Sequence, residues 1–116
     1  AQLETLNLLG ELGDPAALPA ILPLLAGGAS EEAQRLRLRA VETLGRIPAP
    51  GAARPLLELF QKKGFLKGRE PVGLRIAAAR ALAAQNTQEA RECMALALEM
   101  ENTEEVKAIL RQSLVR

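Results

Sequence analysis

The stretch Leu9-Gly10-Glu11-Leu12-Gly13-Asp14-Pro15-Ala16-Ala17-Leu18-Pro19 decides the fold, because its pattern comes back further along the chain. Altered forms begin at Leu44 and Leu82, and Leu114 opens a last partial one; the four leucines are 35, 38 and 32 residues apart. A period in the thirties denotes a stack of like units, each burying its apolar face against the next, rather than a globule closed around one site.

The register holds position by position around these anchors. Eight residues before them stand Ala1, Leu36, Leu74 and Val106; six before stand Leu3, Leu38, Ile76 and Ala108. Between these apolar positions lie Gln2, Arg37, Arg75 and Lys107. Directly after the first three anchors come the small residues Gly10, Gly45 and Ala83. Ala17, Ala52 and Ala90 follow at eight, Ile21, Leu56 and Met94 at twelve, and Leu25, Phe60 and Leu98 at sixteen. Apolar residues thus recur at helical spacing on both sides of a break, so each unit reads as two amphipathic helices joined by a tight turn.

Helix ends follow from the punctuation. Asp14 before Pro15 suits a helix start: the carboxylate can cap free amides, and proline loses nothing at the first helical position. Ser30 with Glu31 and Glu32, and Thr103 with Glu104 and Glu105, read as two further starts. Gly27 and Gly28 end one helix, Pro48 and Pro50 mark a turn, and Gly64 and Gly68 bracket a loop that Pro71 closes. Helices are predicted near 2–11, 15–26, 31–46, 50–63, 71–85, 88–100 and 104–115, with no strand. The expected fold is all-α, a right-handed α-solenoid of about three and a half antiparallel helix pairs. It forms a single domain over 1–116, with repeats at about 1–28, 29–70 and 71–102 and a final half over 103–116.

Composition narrows the function. A chain of 116 residues can bury roughly two thirds of its unfolded surface. Hydrophobic residues make up 48%, yet the only aromatics are Phe60 and Phe65, so alanine and leucine carry the core, as closely approaching helices require. Fifteen basic and fourteen acidic side chains leave a net charge of +1, too little to draw nucleic acid or a membrane. A single cysteine, Cys93, rules out an internal disulfide or a cysteine zinc site. With no long uncharged apolar run and no signal-like start, a cytoplasmic location is expected. Starting without methionine inside a repeat, the chain reads as part of a longer protein.

The segment Leu9 to Leu25 resembles the second half of a HEAT-type repeat of the short bacterial, phycobilisome-lyase-like kind. Leu74-Arg75-Ile76-Ala77-Ala78-Ala79-Arg80-Ala81-Leu82-Ala83 is similar to that repeat's first helix, and the resemblance spans nearly the whole chain. It implies that Arg37, Arg75 and Lys107 tie neighbouring units together, by bonding backbone or an acid, rather than forming a ladder for anions. It also implies that the second helices line a concave inner face. Two departures stand out: Arg111 occupies an apolar position, marking a partly solvated end helix, and 61–71 is an insertion longer than the usual link between repeats.

Residues facing out of the core on the second helices are Pro23, Glu58 and Leu96, then Pro19, Arg54 and Glu92, then Ala16, Gly51 and Glu89. The inner face therefore grades from apolar to acidic. The insertion carries Lys62, Lys63, Lys67 and Arg69 around Phe65 and Leu66, with Glu58 and Glu70 as nearby acids. Two readings stand for it: a contact loop anchored by Phe65, or apolar residues folded back over helix ends. The candidate partner-binding residues are Arg54, Glu58, Lys62, Lys63, Phe65, Lys67, Arg69, Glu89 and Glu92. No catalytic, cofactor or metal residue is expected, because there is no histidine to serve Cys93 as a base and Asp14 reads as a cap. The function expected is a non-catalytic scaffold for another protein, or for another domain of the parent chain. Nucleic-acid binding through the basic loop and an accessory role in chromophore attachment are the alternatives. Missing stacking aromatics count against the first, and missing histidine, tyrosine and tryptophan against the second.

Overall fold

In the computed structural model, Gly13 and residues 15–26, 30–49, 51–61 and 70–115 are described. The predicted helix 2–11 and the Asp14 cap lie outside them. A broken helical segment comes first: a 3-10 turn over Pro15–Ala17, helix α1 over Leu18–Ile21, and a second 3-10 stretch over Leu22–Ala26. Then follow α2 (Glu31–Leu44), α3 (Arg54–Glu58), α4 (Val72–Gln85), α5 (Gln88–Met100) and α6 (Glu104–Leu114), with no strand among the described residues.

The elements form two layers. First helices pack side by side, α2 on α4 and α4 on α6, while α3 packs on α5 in the second layer. Contacts of α4 with α3 and α5, and of α5 with α6, join the layers. This is an all-helical solenoid in which α4 is the hub. Leu44 and Leu82 are fully buried, as are Ala52, Ala90, Ile21, Leu56 and Phe60 at their register positions. The spacing from the anchors thus identified the seam between the layers.

Helix starts behave partly as predicted. Ser30 caps α2, its Oγ accepting the Ala33 N–H at 3.0 Å. Thr87 does the same for α5 through Ala90 at 3.0 Å, a cap that the sequence reading did not single out. Thr103 precedes α6 but makes no side-chain cap; its N–H donates instead to Glu101 at 3.1 Å. Asn86 ends α4 in the left-handed conformation, with φ of 50°, which asparagine tolerates well among non-glycine residues.

Two predicted helices need correction. The 15–26 segment is α-helical only over Leu18–Ile21, because Pro19 and Pro23 each remove a donor from the i→i−4 ladder. The 50–63 helix starts at Arg54, after a turn in which Gly51 takes a φ of 86°. Beyond Glu58 it tightens: Leu59, Phe60 and Gln61 each donate to the carbonyl three residues back.

The expected order of buried and exposed residues in the first helices is also partly inverted. Leu38, at an apolar register position, is 40% exposed, whereas Arg37 and Arg75 beside that position are 5% and 7% exposed. The arginines are drawn inward by buried acceptors. Arg37 Nε donates to Leu25 O at 2.8 Å, and its two terminal nitrogens grip the Glu70 carboxylate. Arg75 Nε donates to Glu70 O at 3.1 Å, and its Nη1 pairs with Glu101. A continuous chain of bonds therefore runs from Leu25 through Arg37, Glu70 and Arg75 to Glu101. It supports the tying role over the anion ladder for both arginines. Lys107 departs from it: half-buried, its Nζ lies 3.7 Å from exposed Glu104 on its own helix.

Candidate partner-binding surface

The second-helix layer presents the outward row expected from the register. Pro19 and Pro23 stand exposed on the first segment, Arg54 and Glu58 on α3, and Glu92 and Leu96 on α5. Leu96 is 47% exposed, so an apolar side chain sits among charges one helical turn from Glu92. Each pair is four residues apart, which places both members on one helix face. Burying the register positions at eight and twelve residues after the anchors turns the side chains at ten and fourteen outward. The row is a by-product of the core.

Glu89 does not belong to it. The side chain is half-buried, and its Oε1 accepts the N–H groups of Gly51 at 3.2 Å and Ala53 at 3.4 Å. Amides at the start of α3 have no acceptor within their own helix, so a carboxylate from α5 stabilises them. Glu89→Ala is expected to lower stability by about 0.5–2 kcal/mol, as loss of a cap does, read as a shift in denaturant midpoint. A midpoint shift no larger than that of Glu92→Ala, on an exposed turn of the same helix, would show that the cap contributes nothing.

Glu70 has a role that the sequence did not show: its carboxylate is gripped by Arg37 and largely buried. The stem of the insertion is thereby pinned to the seam between units. Lys62, Lys63, Phe65, Lys67 and Arg69 lie outside the described residues, so both readings of the loop rest on sequence alone.

The fold does bring three candidate residues together. Arg54, Glu89 and Glu92 all act electrostatically on Cys93, which lies beneath them at 3% exposure. Burial pushes the Cys93 thiol up, and Glu89 and Glu92 add to this against the opposing pull of Arg54. A thiol held protonated is a poor nucleophile. Among the described residues, no group of three or more metal-ligating side chains is close enough to hold an ion. No helix among them is long and apolar enough to cross a membrane.

Other polar contacts escaped the sequence reading. Gln85, buried at the end of α4, donates from Nε2 to Leu44 O at 2.9 Å and Ala52 O at 3.0 Å, joining two units. Arg91 Nη2 donates to Leu114 O at 2.7 Å, closing the end of α6. A glutamine ending an otherwise alanine- and leucine-rich helix was the one visible signal.

Compared with known proteins, the chain matches a family model described as HEAT repeats over residues 1–67. No curated protein and no solved structure matched it. The match covers more than half of the chain, and the two-layer packing continues beyond it through α4, α5 and α6. This chain belongs to the HEAT-repeat family.

Proposed function

We propose that this protein is a non-catalytic scaffold whose inner helices hold another protein, or another domain of the same parent, in the cytoplasm. HEAT repeats generally serve as protein-interaction scaffolds. The observation carrying the proposal is the row Pro19, Pro23, Arg54, Glu58, Glu92 and Leu96, which extends over three units and has no part in the core. The row runs from Pro19 and Pro23 through the charged Arg54 and Glu58 to Glu92 and Leu96, a mix of apolar and charged surface of the kind that protein interfaces use. The 61–71 loop supplies a second contact in this reading, with Phe65 as the anchor and its lysines as rim charges.

A photo-crosslinking residue placed at Glu58, Glu92 or Leu96 in the full-length protein should give one discrete protein adduct in cells. The same residue at Arg39 or Glu42, exposed on α2, should give none. Adducts from α2 alone would move the interface to the other layer. Tight, salt-sensitive binding of labelled DNA, lost when Lys62, Lys63, Lys67 and Arg69 are replaced, would make the protein a nucleic-acid binder instead.

A further inference from the structure

Between the second and third units the seam is closed. Gly45 approaches Ala81 so closely that an added Cβ would lie 2.9 Å from the Ala81 Cα. The end of that seam is filled by Gln85, whose amide reaches the Leu44 and Ala52 carbonyls. One unit later the register places Ala83 where Gly45 stands and Ser113 where Ala81 stands. Here α4 and α6 stay packed on each other, but space is left along their shared edge. A cleft runs over the junction of α4 and α6 in two lobes that share Ala83, Ala84 and Ser113. The lobe of about 430 Å³ extends to Arg80 and Gln112, and that of about 540 Å³ extends to Asn86 and Arg91.

The chemistry of these walls is one-sided. Among the described residues, two arginines and two amide side chains line the lobes, and no acid does. Arg91 is held in place by its bond to Leu114 O, which uses one of its guanidinium N–H donors. Arg80 is exposed at the opposite end. The short side chains of Ala83 and Ala84 let an extended backbone come close, Ile109 and Met94 add apolar lining, and Asn86 and Gln112 can donate to and accept from its peptide groups. Arginine recognises carboxylates through paired N–H bonds, so the cleft suits negative side chains.

We propose that this cleft binds an acidic peptide segment of a partner protein, its carboxylates meeting Arg80 and Arg91. The site has no lining residue in common with the inner row and shares with the proposed function only the premise that the partner is a protein.

The test uses the whole chain with two labelled short peptides, one alternating glutamate and alanine, the other lysine and alanine. At about 0.15 M ionic strength the glutamate peptide should bind at least about tenfold more tightly. Its amide chemical-shift changes should centre on Ala83, Ala84, Gln112 and Ser113. Arg80→Glu should weaken binding about five- to tenfold, and Gln112→Glu, a second exposed variant in the same lobe, should weaken it too. Arg39→Glu, a charge reversal far from the cleft, should have no effect. Equal binding of the two peptides would overturn the proposal. So would an equal loss with Arg39→Glu, or shifts that spare the cleft and fall on the inner row. Crosslinking at Leu96 reads the inner row separately, so either idea can fail alone.

Discussion

Glu101→Ala should destabilise this protein by about 3–5 kcal/mol, the usual result of removing one partner from a buried ion pair. The Glu101 side chain is fully buried and that of Arg75 is 8% exposed, so neither charge has water to fall back on. Glu101 Oε1 also accepts the N–H groups of Asn102 at 3.0 Å and Thr103 at 3.1 Å, ahead of α6. Losing the carboxylate therefore strands a cation between units and frees the amides that set the entry of the last helix. The pair's own net contribution is smaller than this loss, because Glu101 Oε2 is buried without a hydrogen-bond partner among the described residues. Pairing Glu101→Leu with Arg75→Met should consequently recover a large part of the single-variant loss, giving a coupling energy of about 1–3 kcal/mol in a double-mutant cycle. Urea titrations of the parent, Glu101→Ala, the two single variants of the cycle and the double variant measure both quantities. A single-variant loss below about 1 kcal/mol, the range of solvated surface pairs, would mean that water reaches this junction.

The chain of charges explains what could and could not be read from the sequence. Core positions were legible because helical periodicity is local: Leu44, Leu56 and Phe60 are named by their distance from one anchor. Acid partners were not legible in this way. Glu70 lies 33 residues from Arg37 and Glu101 lies 26 from Arg75, so only folding brings them together. An acid just ahead of the next first helix is the feature the two pairs share, and the sequence reading linked one of them, Glu70, only to the loop cations beside it. The same limit applies to the candidate surface. Arg54, Glu58 and Glu92 face outward as a helical wheel requires, but Glu89 on that wheel is captured by amides of a neighbouring helix. Helix lengths erred for a different reason: Pro19 and Pro23 were visible, but the helix over 15–26 was placed from its end signals without counting their cost to the backbone ladder. On the cleft side, alanine and serine at register positions held earlier by glycine and alanine mark where the seam changes. That difference acquires meaning only when two units are superposed.

Leu44→Ala is expected to cost about 2–5 kcal/mol and to act on both sides of the second unit. Leu44 is fully buried where α2 ends, and its carbonyl accepts from Gln85 of the third unit. The core that contains it is rich in alanine, with Ala40, Ala78, Ala79 and Ala81 all buried. Such short, stiffly placed side chains have little reach with which to fill a hole, so the cavity should persist and the loss should fall in the upper part of the range. Because each unit contacts only its neighbours, weakening this seam should also loosen the packing of α2 on α4, seen as faster amide exchange in both helices than in α6. Glu42→Ala, exposed on the same turn of α2, is the control and should stay within about 0.5 kcal/mol of the parent. If the two substitutions shift the denaturant midpoint equally, Leu44 is not the anchor of the repeat, and the register built on Leu9, Leu44, Leu82 and Leu114 falls with it. If only α2 loses protection, the units are joined by the Arg37 and Arg75 pairs rather than by the apolar seam.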